Sequence, residues 1–117
     1  MANPDKRTSY LKKLVSAARA VITYQVGLPF GCARIGGLLS ALRPFEPLDY
    51  PVFDEYRNAI VNLPVGTERL HWARESLREK DIRLEAITGE FRDRIFEACY
   101  DIIDRHAEPV DKQRDVT

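Results

Sequence analysis

Residues 76–106 read SLREKDIRLEAITGEFRDRIFEACYDIIDRH, and this stretch decides the fold. Leu84, Ile87, Phe91, Ile95, Ala98 and Ile102 recur at helical spacing and form one apolar face. Phe96, Cys99 and Ile103 widen that face, which predicts a long, well-buried C-terminal helix as the spine of the molecule. Ser76 and Glu79 match the capping box, in which a hydroxyl and a carboxylate satisfy orphan amides of the first turn, and they predict a start at Ser76.

Working outward, Leu63-Pro64-Val65-Gly66 places Pro64 and Gly66 where a type I turn favours them, so the chain is expected to reverse there. Before it, Val52 to Val61 reads as a short helix burying Val52, Phe53, Tyr56 and Ile60. Pro44, Pro47 and Pro51 make the preceding segment an extended connection. Gly27 and Pro29 break the pattern, and a segment from about Phe30 to Leu42 carries Ile35, Leu38, Leu39 and Leu42. Gly31, Gly36 and Gly37 each cost a helix about 1 kcal/mol relative to Ala, so a closely packed neighbour is expected against them. The first helix starts at an Asn3 cap with Pro4 in its first position, and presents Leu11, Leu14, Val15, Ala18, Val21 and Ile22 on one side. Glu108 to Thr117 is polar and aperiodic and reads as a flexible tail. Residues 1–117 are thus expected to form one all-α domain, a small bundle of four to five helices.

Composition narrows the function. Lys plus Arg and Asp plus Glu both number 18, so no global charge draws the chain to nucleic acid or an anionic membrane, and direct nucleic-acid binding is not expected. Lys12, Lys13, Arg19, Arg34 and Arg43 interrupt the most hydrophobic third, which argues against a membrane span. The N-terminal residues do not form a secretory signal, and the cytoplasm is the expected compartment. Cys32 and Cys99 are far apart, without clustered histidines, and read as buried free thiols and not as a zinc or redox site. No metal or cofactor is expected.

Two acidic regions stand out. Between Phe45 and Tyr56 the chain sets Glu46, Asp49, Asp54 and Glu55 among Phe45, Tyr50, Phe53 and Tyr56, with no cation until Arg57. Carboxylates there would steer a basic partner while the aromatics supply stiff contact area; in the plainer reading Phe53 and Tyr56 are core and the carboxylates are solvated. At about 100° per residue, Glu90, Asp93, Glu97, Asp101 and Asp104 fall on one strip of the last helix, opposite its apolar face. The compensating cations include Lys6, Arg7, Lys12 and Lys13, so the charge is expected to be lopsided. A third group, Glu68, Arg69 and His71, would combine a base, an acid and a cation for phosphodiester chemistry. Its structural alternative has His71 and Trp72 packing on the last helix and Arg69 paired with a carboxylate.

Leu63-Pro64-Val65-Gly66-Thr67-Glu68-Arg69-Leu70-His71-Trp72, with Leu77, Lys80-Asp81, Arg92-Asp93, Ala98-Cys99 and the segment Gly27-Leu28-Pro29-Phe30-Gly31-Cys32-Ala33-Arg34, resembles small bacterial proteins of uncharacterised function. Compact helical proteins of this kind resemble the immunity proteins of contact-dependent growth inhibition and other polymorphic toxins. The resemblance implies a cytoplasmic, non-enzymatic protein that binds the C-terminal domain of a cognate toxin, often a nuclease, and blocks its active site or substrate channel. Many such proteins are markedly acidic, whereas this chain is neutral, which concentrates the expected contact on Glu46, Asp49, Tyr50, Asp54, Glu55, Asp93, Glu97, Asp101 and Asp104. The alternatives are a helical scaffold or homodimeric regulator pairing through an apolar helix face, and a weak hydrolase centred on Arg69 and His71.

Overall fold

The computed structural model describes residues 4–107; the Asn3 cap and the tail from Glu108 onward lie outside them. Among the described residues the chain is all-α, with α1 (Pro4–Ile22), α2 (Leu28–Leu42), α3 (Pro51–Ile60), a 3-10 helix (Thr67–His71) and α4 (Arg74–His106). No helix in this range is long and apolar enough to cross a membrane.

The helices pack in a cycle, α1 against α2 and α4, and α3 against α2 and α4. Each contributes its periodic face to one core: Leu14, Ala18 and Val21 from α1, Ile35 and Leu42 from α2, Phe53 and Tyr56 from α3, Ile95 and Ile102 from α4. A fully buried aliphatic side chain of this kind contributes about 1.5–3 kcal/mol relative to exposure, so burial fixes the cycle. The helical period predicted these faces. The capping box did not form, because α4 starts two residues earlier with extended Ala73 as its cap and no side-chain capping bond. Leu77 N–H already bonds to the Ala73 carbonyl at 2.9 Å, which leaves Ser76 inside the first turn, where its hydroxyl is no longer the cap. The chain leaves the 3-10 helix through Trp72, whose N–H bonds to Arg69 C=O, so only Trp72 and Ala73 separate the two helices.

The glycines of α2 divide. A Cβ on Gly31 would overlap Val21 Cγ2 and press on Val26 Cγ1 at 3.1 Å, so α1 and the following turn approach α2 closely there. Gly36 and Gly37 face open space, and the expected close neighbour is absent at both. Similarly, the hydrogen-bonded turn after α3 closes from Leu63 N–H to Ile60 C=O, one turn ahead of the Pro64–Gly66 position.

α1 ends in a Schellman motif: Gln25 N–H bonds to Ala20 C=O at 2.9 Å and Tyr24 N–H to Val21 C=O at 3.2 Å. The residue in the left-handed conformation is Tyr24, φ 60°, where glycine is the usual occupant. Its ring meets Phe96 of α4 edge-on at 5.8 Å, a contact that offsets part of the backbone cost.

Candidate functional site

α3 and α4 run antiparallel, and their contacts reach the two acidic regions. The Tyr50 hydroxyl donates to Asp101 Oδ2 at 2.7 Å, Arg94 of α4 pairs with Glu55, and the Tyr56 ring lies 5.6 Å from Phe91. The first acidic region is therefore partly spent on the fold. Phe53 and Tyr56 are core, Phe45 packs against Tyr10 at 6.1 Å, and Arg7 of α1 holds Glu46. Asp49 and Asp54 remain exposed, and neither has an ion pair among the described residues.

Along α4 the division is sharper. Asp101 is committed on both oxygens, to Tyr50 and to Arg105 Nε at 2.9 Å. The Tyr50 hydroxyl and then Arg105 hold its carboxyl below the usual range. Burial first, and the bond to Asp101 second, raise the Tyr50 phenol above the ordinary tyrosine range. By contrast Asp93, Glu97 and Asp104 are solvent-facing and carry no ion pair among the described residues. Tyr100 stands among them, 57% exposed. One turn back lies half-buried Phe96, with Tyr24, 74% exposed, against it. Side chains four apart on a helix are neighbours, so Phe96 and Tyr100 continue each other and the carboxylates flank them. The surface is an aromatic strip, Tyr24–Phe96–Tyr100, bordered by Asp93, Glu97 and Asp104.

Sequence reasoning named the carboxylates and missed the aromatics. Tyr100 was within reach, since the same helical projection that aligned Asp93, Glu97 and Asp104 places it directly beside them. Tyr24 was not, because its position depends on the left-handed turn that ends α1. Lys12 and Arg19 line a cleft of about 450 Å³ together with Ser16, Gln25 and His106, where α1 meets the end of α4.

No family model, curated protein or solved structure matches the chain.

The Glu68–Arg69–His71 group is structural in its visible contacts. Arg69 forms a two-bond pair with Asp81 at 2.6 and 2.9 Å and donates to Pro64 C=O at 3.2 Å. Glu68 accepts the Val65 N–H at 3.1 Å, and backbone N–H groups hold its carboxyl below the usual range. His71 is exposed, and Trp72 lies under Lys80 of α4, 5.7 Å from ammonium to ring centre. Cys32 lines an apolar cleft of about 210 Å³ beside Pro29, Ala33, Ile60 and Leu63. Burial pushes its thiol up to about 12, and that of Cys99 likewise, which keeps both protonated and unreactive near neutrality. Among the described residues no group of three or more His, Cys, Asp or Glu is arranged to hold a metal ion.

Proposed function

We propose that this protein is an immunity protein that binds the C-terminal toxin domain of a contact-dependent inhibition system, a basic nuclease, and blocks its active site. One observation carries the reading: Tyr100 stands 57% exposed among the solvent-facing carboxylates Asp93, Glu97 and Asp104, next to the Tyr24–Phe96 pair. Aromatic side chains that keep a large fixed area in water, bordered on one side by carboxylates, have the composition of a binding hot spot. The carboxylates compete with nucleic-acid phosphates for the toxin's lysines and arginines and speed the encounter. Glu55 and Asp101 act one step back, their partners Arg94 and Tyr50 holding α3 and α4 in the alignment that presents the strip, while Glu46 and Arg7 tie the connection before α3 to α1. Asp49 and Asp54 extend the acidic field from α3 and the connection before it.

The test is co-expression with the toxin encoded next to the gene. Growth arrest is relieved by the wild-type chain, and relief is lost in Tyr100→Ala and Glu97→Lys while their helical content is unchanged. Equal relief by wild type and both variants would remove the strip from the mechanism, and no relief by the wild type would remove the reading itself.

A further inference from the structure

From Arg74 to Ile87 no residue of α4 is buried, and the first buried one is Thr88. The stretch from Arg74 to Arg83 therefore extends beyond the core, whose edge Leu84 and Ile87 reach, and it is accompanied by the 3-10 helix that Arg69 clamps to Asp81. A groove of about 370 Å³ runs along this segment, lined in part by Arg74, Arg78, Asp81, Ile82 and Glu85. Ile82 is 63% exposed there, and Leu70 of the 3-10 helix 84% exposed.

The order of charge along the groove is specific. With about 100° per residue, Arg74, Arg78, Asp81 and Glu85 fall within one narrow strip of the helix surface, two cations followed by two anions. Arg74 and Glu85 are equidistant from the point midway between Glu79 and Lys80, and so are Arg78 and Asp81. A two-fold axis through that point, perpendicular to the helix, sets Arg74 of one copy against Glu85 of the other and Arg78 against Asp81. Every pair then occurs twice, as an isologous interface requires. Ile82 of the two copies falls on the same flank of the seam and shields it from water. Asp81 can take part while holding Arg69, because a carboxylate offers about four acceptor sites. The same segment laid in parallel sets like charge on like charge.

We propose that the exposed first half of α4 is a self-association surface, on which two copies of the chain pair antiparallel through Arg74–Glu85 and Arg78–Asp81. This face is distinct from the Tyr100 strip in the second half of α4, so the pairing stands or falls independently of the toxin-binding reading.

Sedimentation equilibrium on the full chain tests it through a charge swap. At low salt the wild type is a dimer in reversible equilibrium with monomer, and about 1 M salt weakens it, because the Debye length shrinks to about 3 Å. Arg74→Glu and Glu85→Arg each raise the dissociation constant at least tenfold, and the double variant R74E/E85R returns it to within about threefold of wild type. All these sites are solvent-facing, and circular dichroism is expected to show unchanged helix content in every variant. A wild type that stays monomeric at low salt overturns the proposal, as does a dimer indifferent to Arg74→Glu or a double variant that pairs no better than the singles.

Discussion

The Tyr50 hydroxyl donates to Asp101 Oδ2 at 2.7 Å across 51 positions of sequence, fastening the start of α3 to the end of α4. Folding lowers the Asp101 pKa, so its share of stability is full above the ordinary aspartate value of about 3.9 and is lost as pH falls through the folded value. Folding raises the Tyr50 pKa, so its share is full below the ordinary tyrosine value of about 10 and is lost as pH rises through the folded value. Tyr50→Phe is therefore less stable than wild type near neutrality by an amount that shrinks in acid and again in alkali. Urea midpoints measured across pH check this, and a difference independent of pH would place its origin outside the bond.

Inside the bundle, the Tyr56 and Thr88 hydroxyls meet at 2.7 Å, both residues buried. Thr88→Val leaves the tyrosine hydroxyl without a partner away from water and costs about 1–3 kcal/mol. Adding Tyr56→Phe removes the orphan, so the double variant recovers part of that loss. The interaction energy from chemical denaturation of all four proteins is expected to be about 1 kcal/mol; an additive cycle would show that the bond contributes nothing.

Gly31→Ala forces a methyl against Val21, a stiff β-branched neighbour within the core, and destabilises by about 1–3 kcal/mol. Gly36→Ala and Gly37→Ala meet nothing within 4 Å and each stabilise by about 0.5–1 kcal/mol through helix propensity. Thermal melting separates the two outcomes by sign.

These three glycines illustrate how far the sequence can be read. The apolar period of Leu84, Phe91, Ile95 and Ile102 located the core face of α4, because burial obeys helical geometry whatever the partner. The cost of a glycine was equally visible at all three positions, yet only the packing of α1 and α2 distinguishes the crowded one. The candidate surface follows the same rule. The projection of α4 placed Asp93, Glu97 and Asp104 on its solvent side, whereas the partners Arg7, Tyr50 and Arg94 that occupy Glu46, Asp101 and Glu55 come from elements far away in sequence. The failed cap at Ser76 has a local cause that is still tertiary, the short link from a 3-10 helix that Arg69 and Asp81 hold in place.

The two thiols provide a kinetic readout of the core. With Cys32 and Cys99 both pushed up to about 12 and buried, an aromatic disulfide reagent at pH 8 reacts with the native protein slowly and with the denatured protein at once. Variants that destabilise the bundle, such as Gly31→Ala, react faster in proportion to their open population. Rapid modification of the native wild type would contradict the burial of these residues.

On the proposed reading, the face of α4 bearing Asp93, Glu97, Tyr100 and Asp104 engages a cationic protein. Calorimetric titration of the purified chain with its genetically linked toxin domain tests it most directly, with Glu97→Lys and Asp104→Lys compared to the wild type. Wild-type binding is expected to weaken with added salt and to fall at least tenfold in each charge reversal, whereas binding of undiminished strength in both variants would remove this face from the interface.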